Sequence, residues 1–215
     1  MYIPPHFKED GKPALNRVMA EAGLATIVSC GGSGPAISHV PVHFDPDSGE
    51  NGSLSWHLSK ANDHCAVLRA GAPTVAIFLG SDAYITPSWY EEKTKTGKVV
   101  PTWNYVAIHA AGPVEAFDDP DRLLALVEAL TDTHEADRET PWAVTDAPAD
   151  FIGGQLKGIA GFSLAIETLE GKWKLGQNRS AKDQATMAEG LSAEPREAAR
   201  AAGALMKQRN GNSTR

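Results

Sequence analysis

The chain has 215 residues, of which 42% are hydrophobic and 22% charged, so it can bury a core and is too apolar to be disordered. Its 27 acidic and 20 basic residues give a formal net charge of -7, which disfavours a dedicated nucleic-acid-binding protein because phosphate backbones are repelled. The absence of a long apolar run and of a signal-peptide layout at MYIPPHFKED predicts a cytoplasmic protein with no membrane contact.

Hydrophobic spacing and turn residues predict the elements of the first half of the chain. They are a helix over residues 12–23, antiparallel strands over 24–30, 35–44 and 52–59, a short helix over 62–71, and a buried strand over 73–80. Gly23 is expected to cap the first helix. The short helix is expected to begin at Asn62 and to end at Gly71.

The second half continues the alternation of strands and helices. A strand is expected over 101–117, a helix over 120–137, strand structure over 161–178, a helix capped by Ser180 and Asp183, and a second helix over 194–209. The apolar face of the helix over 120–137 is expected to be formed by Leu123, Leu124, Val127 and Leu130. The last helix has little apolar bulk and needs a partner surface. Residues 210–215 are expected to fray.

Together these elements predict a mainly β fold with α, in which a six-stranded antiparallel barrel carries helices on its outside. We expect residues 1–180 to form the barrel domain. Residues 181–215 are expected to form a C-terminal helical extension.

A possible anion site lies where the strand over 52–59 ends. Ser59, Lys60 and Asn62 bring together a hydroxyl, an ammonium group and the N–H groups of a helix N-terminus, which is the chemistry that a phosphate monoester needs. The alternative is an ordinary helix cap beside a solvated lysine. The residues alone leave both open.

The histidines and cysteines predict no metal site. His39 and His43 are four residues apart on an extended strand, which separates them by roughly 13 Å, so they cannot share an ion. His109 and His134 have no acidic or histidine neighbour at ligand spacing, and the two cysteines have neither disulfide nor zinc spacing. No nucleophile-base arrangement can be read from the sequence, so catalytic residues stay unknown.

The stretch PSWYEEKTKTGKVVPTWNYVAIHA, residues 87–110, has aromatic clusters on both sides of a lysine-rich segment. A flat heteroaromatic ligand is held by aromatic faces and strand backbone groups, and Trp89 and Trp103 could supply the faces. The open alternative is that both tryptophans plug the barrel or contact a second subunit. The lysines form either a basic patch or a solvated loop.

Several motifs in this order resemble the PaiB-like family of FMN-binding negative transcriptional regulators, in the FMN-binding split-barrel, pyridoxine 5'-phosphate oxidase-like superfamily. The matching segments are MYIPPHF, SHVPV at 38–42, WHLSKAN at 56–62, AYITPSWY at 83–90, VPTWNYVAIHAAG at 100–112, LTDTHE at 130–135 and GKWKLGQNRSAKD at 171–183. The combination is specific, and it covers nearly the whole chain. The chain departs from the family pattern at Gly176, where members commonly have Ser, and at Asp63, where Pro commonly follows Asn.

The resemblance implies a homodimer with FMN at the subunit interface. WHLSKAN would hold the flavin phosphate, SHVPV would run beside the isoalloxazine edge, and TWNY and KLGQNR would complete the pocket, partly from the second subunit. The implied cofactor-binding residues are Ser38, His39, Val40, Pro41, His57, Ser59, Lys60, Asn62, Trp103, Asn104, Lys174, Gln177, Asn178 and Arg179.

Two functions are compatible with this resemblance. The first is a dimeric FMN-binding protein that acts as a negative transcriptional regulator, with DNA as a further partner despite the acidic charge and the lack of an evident helix-turn-helix. The second is an FMN-dependent oxidoreductase acting on a small molecule, in which the cofactor transfers the electrons.

Overall fold

The structure is a computed structural model that describes residues 1–32 and 34–212, except for the side chains of residues 210 and 212. This part of the chain contains ten β-strands and seven α-helices. The strands are β1 (Lys8–Glu9), β2 (Ala25–Gly31), β3 (Gly34–Val40), β4 (His43–Asp45), β5 (Ser53–Ser59), β6 (Thr74–Ile85), β7 (Thr102–Gly112), β8 (Val114–Phe117), β9 (Ile159–Ala165) and β10 (Thr168–Lys174). The helices are α1 (Lys12–Glu21), α2 (His64–Arg69), α3 (Glu92–Lys95), α4 (Pro120–Glu135), α5 (Ala149–Leu156), α6 (Ala181–Ser192) and α7 (Glu197–Asn212).

The chain divides into two compact units, each built from separate stretches of sequence. Unit 1 contains Met1–Leu15, Leu79–Ile108 and Glu170–Arg215, as far as these are described, and unit 2 contains Asn16–Phe78 and His109–Leu169. Strands β6 and β7 pass from one unit into the other, so each contributes residues to both.

Unit 2 contains an antiparallel sheet with the strand order β4-β5-β9-β8. On β5, Leu54, Trp56 and Leu58 are buried, as the alternation predicts. The Trp56 ring stacks on Phe162 of β9 with the ring centroids 5.9 Å apart. Burial of each large apolar side chain contributes about 1.5–3 kcal/mol, so this face anchors the strand that leads to the predicted anion site.

Helix α4 packs on the same unit through leucines that contact Phe117 of β8. These leucines are Leu123, Leu126 and Leu130. Leu124 and Val127, which we expected on the apolar face, are only half-buried. The helix itself is confirmed, with its buried face rotated toward Leu126.

The remaining strands of unit 2 position α2. Strand β2 pairs with β3 on one side and with the first residues of β6, Thr74–Ile77, on the other. Helix α2 packs against β2, β3 and β8. Side chains at the start of α2 therefore lie beside inward-facing side chains of β2 and β3.

Unit 1 contains the strand order β1-β10-β7-β6, with α6 and α7 packed on each other. As predicted, Ser180 caps α6, because its Oγ accepts a hydrogen bond of 3.1 Å from Asp183 N. The Asp183 carboxylate instead accepts from Glu91 N at 2.8 Å. The Trp89 ring occupies the space beside Gly190 where a Cβ atom would stand. Trp89 thus packs the segment before α3 against α6.

Some predicted boundaries were wrong. The strand predicted over 35–44 divides at Pro41, and the strand predicted over 101–117 divides at Pro113. Proline has no N–H to donate to a neighbouring strand, so both interruptions have a local cause. Helix α1 ends at Glu21, and Gly23 does not have the positive φ of a left-handed cap.

The predicted ends of α2 and α7 agree with the structure only in part. Gly71 has the expected positive φ of 72° after α2, but that helix begins at His64, two residues after the predicted start. Helix α7 is confirmed and extends to Asn212. The rest of the segment that we expected to fray, residues 213–215, lies outside the described residues.

Candidate functional site

The backbone at the corner between β5 and α2 has few donors left for a ligand. Helix α2 has only six residues. His64 N donates to Asn62 Oδ1 at 3.0 Å, Lys60 N to the Gly158 carbonyl at 2.9 Å, and Asn62 N to the Ser59 carbonyl at 2.9 Å. The ligand chemistry of this corner therefore resides mainly in its side chains.

Two cationic side chains at this corner share one carboxylate. Lys60 Nζ lies 3.5 Å from Asp118 Oδ1, and Arg69 donates to both Asp118 oxygens at 2.8 Å. The hydrogen bond from Arg69, followed by the charges of Arg69 and Lys60, lowers the pKa of Asp118 below its ordinary value. The pair of cations retains an excess positive charge and is half-exposed, so an arriving anion would compete with Asp118 for both.

A chain of buried polar side chains runs behind the corner. Ser38 Oγ lies 2.9 Å from His64 Nδ1 and 3.3 Å from Asn62 Nδ2. His64 Nε2 lies 2.9 Å from Ser29 Oγ, which is 2.7 Å from Thr74 Oγ1. His64 is 3% exposed, and its burial lowers its pKa. Ser38 and Asn62, which the resemblance placed at the cofactor, are thus joined through one network.

The other site residues predicted in unit 2 have different surroundings. His39 is exposed on β3 with Nδ1 3.0 Å from Thr26 Oγ1. Val40 is buried in the core, and Pro41 is half-buried just after the strand. His57 on β5 has a buried Nδ1 with no hydrogen-bond partner in the described part of the chain, and burial lowers its pKa. His57 therefore offers one unused polar atom.

In unit 1, positive charge collects beside aromatic rings on β7 and β10. Lys172 is 8% exposed and its Nζ lies 5.2 Å from the centre of the Tyr105 ring, while Lys174 Nζ lies 6.0 Å from that ring. Lys174 Nζ donates to Thr102 Oγ1 at 2.6 Å and to the Trp103 carbonyl. Burial, and then the charges of Lys172 and of Arg179, lower the pKa of Lys174.

Arg179 is the third cation of this cluster, and its guanidinium lies 4.7 Å from the centre of the Tyr90 ring. The Tyr90 hydroxyl is buried without a hydrogen-bond partner among the described residues, and burial raises its pKa. Within the described part of the chain, no carboxylate forms an ion pair with Lys172, Lys174 or Arg179. An anion would neutralise charge that the protein itself leaves uncompensated.

Three of the residues predicted in unit 1 have evident structural partners or exposed positions. Asn104 is 1% exposed and its Nδ2 lies 3.5 Å from Met206 Sδ. The Gln177 amide bonds within its own turn, where Leu175 N donates to Gln177 Oε1 at 2.8 Å, and Asn178 is exposed.

The departure at Gly176 has a local reason. Its φ is 80°, and a Cβ atom there would collide with Met187 and approach Met206. In this chain only glycine fits the turn after β10, so a serine at that position would strain the fold.

The fourteen predicted residues therefore divide into eight in unit 2 and six in unit 1. Sequence reasoning missed five residues that contact them or share a partner with them: His64, Arg69, Tyr105, Asp118 and Lys172. The alternation of Lys172 with Lys174 on a predicted strand was a usable signal, whereas the contacts of Asp118 with Lys60 and Arg69 join distant parts of the sequence.

No group of three or more His, Cys, Asp or Glu side chains in residues 1–32 and 34–212 is arranged to hold a metal ion. None of the helices described in the same ranges has the length and apolar character needed to traverse a lipid bilayer.

Comparisons with known proteins give related sequences and solved structures of similar fold. Residues 1–168 match the family described as "Putative FMN-binding domain". "Protease synthase and sporulation protein PAI 2" of Bacillus subtilis (strain 168) is 27% identical over 209 residues, covering 97% of this chain and 98% of the relative. An uncharacterized protein of Saccharomyces cerevisiae is 33% identical over 158 residues, covering 64% of this chain and 92% of the relative.

Among the solved structures of similar fold, the FAD and heme binding protein from Mycobacterium smegmatis aligns with a TM-score of 0.60 at 18% identity. The alignment covers 85% of this chain and 80% of that protein. At this identity the likeness concerns the fold alone. The predicted fold class, mainly antiparallel β with helices in a split-barrel arrangement, is confirmed.

Proposed function

Because the chain belongs to the family described as "Putative FMN-binding domain", we propose that it is a homodimeric FMN-binding protein that takes part in the negative regulation of transcription. The predicted PaiB-like resemblance and the predicted cofactor, FMN, are confirmed by the family match. The homodimer, the regulatory role and a cytoplasmic location are proposals that come from the sequence and the resemblance.

The observation that carries FMN binding is the uncompensated positive charge beside aromatic rings in unit 1. FMN combines a flat heteroaromatic ring with a phosphate monoester, and the Lys172, Lys174 and Tyr105 side chains suit an anionic, planar molecule. We propose that Trp103 and Lys174 contribute to holding the ring system, partly from the second subunit, as the resemblance implies. When bound, FMN supplies electron or hydride transfer at its isoalloxazine ring.

In unit 2 we propose Lys60 and Arg69 as the seat of the flavin phosphate. A phosphate dianion carries more charge than the Asp118 carboxylate and can accept hydrogen bonds from both cations. Asn62 and His57 are polar groups of the same unit that have unused hydrogen-bonding capacity. These residues would bind and orient the cofactor.

Exposed aromatic side chains support the proposed homodimer. Trp103 is 50% exposed and Tyr84 is 49% exposed, and their rings meet edge to face with centroids 6.2 Å apart. Paired exposed aromatics are enriched where two protein surfaces meet. We propose that this pair belongs to the subunit interface at which the resemblance places FMN.

The basic residues of the C-terminal segment favour indirect regulation over direct DNA binding. Arg196 pairs with Asp82, Arg200 donates to the Glu194 and Pro195 carbonyls, and Lys207 donates to Ser192. Arg209 pairs with Glu9. All four basic side chains bond to groups of the same unit, which makes direct DNA recognition by α7 the weaker form of the proposal.

The bonding of these basic side chains within their own unit also favours the second candidate, an FMN-dependent oxidoreductase acting on a small molecule. The two candidates are separated by adding FMN to the purified chain, removing unbound cofactor, and recording the absorbance spectrum before and after NAD(P)H. Bleaching of a retained flavin supports the oxidoreductase. A salt-dependent shift of promoter DNA at physiological ionic strength supports direct regulation. A chain that retains no FMN contradicts both proposals.

A further inference from the structure

The buried polar chain in unit 2 has only one consistent arrangement of its protons. Thr74 Oγ1 donates to the Ala72 carbonyl at 2.8 Å, because a carbonyl can only accept. Its single proton is then used, so in the contact with Ser29 Oγ the Thr74 hydroxyl must accept and Ser29 must donate. Ser29 in turn has no proton left for His64.

This count fixes the histidine tautomer. Since Ser29 can only accept, His64 must carry its proton on Nε2 and donate it there. Burial lowers the pKa of His64, so the ring is neutral and Nδ1 is a bare acceptor. Ser38 Oγ, 2.9 Å from Nδ1, must therefore donate its proton inward to the ring.

The last member of the chain is Asn62. Its Oδ1 faces the backbone N–H of His64, which can only donate, so its Nδ2 faces Ser38 and donates to the serine oxygen at 3.3 Å. One Nδ2 proton of Asn62 is used in this way, and the second remains available. Asn62 is half-buried at the corner that also contains Lys60.

We infer that His64 is a positioning residue: as its Nε2–H tautomer it fixes Ser38, which orients Asn62 so that its free N–H is offered to an acceptor-only oxygen of a ligand, such as a phosphate ester oxygen. Ser38 keeps no proton for the ligand, so it acts through Asn62. The assignment of the ligand rests on the proposed FMN site, whereas the tautomer does not.

The tautomer is tested first and without ligand, by NMR of the full chain labelled with ¹⁵N at histidine. We expect His64 to show a protonated Nε2 and an unprotonated Nδ1 at neutral pH. An Nδ1–H tautomer or an imidazolium would overturn the inference, and this outcome does not depend on whether the protein binds FMN.

The positioning role is tested by titrating FMN into three variants. His64→Phe keeps the ring volume and loses both nitrogens, and we expect FMN to bind about tenfold more weakly. His64→Asn places an amide oxygen near the Nδ1 position, where it can accept from Ser38, and should restore most of the affinity. His134→Asn, at an exposed histidine of α4, is the matched control and should bind like wild type.

The outcomes separate this inference from the proposed function. If wild type binds FMN and His64→Phe binds equally well, the positioning role is wrong and the proposed function stands. If His64→Asn, with a melting temperature near that of wild type, fails to recover affinity, His64 is not acting through Ser38. If wild type does not bind FMN, the proposed function fails while the NMR result still decides the tautomer.

Discussion

Replacing Lys60 with methionine tests the proposed phosphate seat, because it removes the charge and keeps most of the side-chain length. Two unit charges 4 Å apart attract by about 4 kcal/mol at an effective dielectric constant of 20 and by about 1 kcal/mol in water. The Lys60 side chain is 45% exposed and is already 3.5 Å from Asp118, so the lower part of this range applies. We expect a loss of about 1.4 kcal/mol, or tenfold in the Kd of FMN.

The assay compares FMN with riboflavin, which has the same ring and no phosphate. Titration of each by quenching of flavin fluorescence should show the tenfold loss for FMN only. Lys157→Met, at an exposed lysine of the same unit, is the matched control. The melting temperature of Lys60→Met should remain close to that of wild type, since an exposed ion pair contributes about 0–1 kcal/mol.

The same reasoning predicts that FMN affinity rises when the charge of Asp118 is removed. Asp118→Asn removes the carboxylate that competes for Lys60 and Arg69, so FMN should bind more tightly and riboflavin should be unaffected. Equal losses for both flavins in Lys60→Met, or unchanged FMN binding in both variants, would show that the phosphate binds elsewhere.

Three further predictions concern other parts of the chain. Burial lowers the pKa of Lys174 below its ordinary 10.5, so its charge is lost as pH rises through the folded pKa. FMN binding should weaken as the pH rises toward 10.5, and less so in Lys174→Arg, because arginine stays charged. Burial also lowers the pKa of His57 below its ordinary 6.5, so the unfolded chain binds more protons and stability falls as pH drops below 6.5. Between neutral and acid pH, the melting temperature should fall less in His57→Gln than in wild type. An equal fall in both proteins would show that His57 is not the cause. Alanine at Gly190 would collide with Trp89, and we expect it to cost about 1–3 kcal/mol in chemical denaturation. Gly154→Ala, in open space on α5, should instead stabilise by roughly 0.5–1 kcal/mol, and stabilisation by both changes would contradict the packing argument.

Local signals predicted most of the elements. The period-2 alternation of β5, the proline at the start of α4 and the Ser180 cap of α6 each act over a few residues, and each was confirmed. The strand breaks at Pro41 and Pro113 carried an equally local signal. Proline has no backbone N–H to donate to a neighbouring strand, so both breaks could have been predicted from the sequence.

Pairing between distant segments could not be predicted in the same way. Strand β5 pairs with β9, about a hundred residues later, and nothing within either strand specifies the other. The site follows the same rule. Asn62 and Lys60 were found because they are neighbours at a predicted strand end. The partners that define their chemistry, Ser38 and Asp118, come from β3 and from the segment after β8.

The distribution of positive charge bears on the choice between the two proposed functions. A regulator that contacts DNA needs mobile cations on an exposed face, yet the described basic side chains of α7 bond to groups of the same unit. Lys172 and Lys174 have the opposite character, since they are at least partly buried, unmatched by carboxylates and placed beside Tyr105. Positive charge near a flavin ring favours its anionic reduced form. A flavin potential that becomes more negative in Lys174→Met would therefore support an electron-transfer role, and an unchanged potential in a variant that still binds FMN would argue for regulation through cofactor occupancy alone.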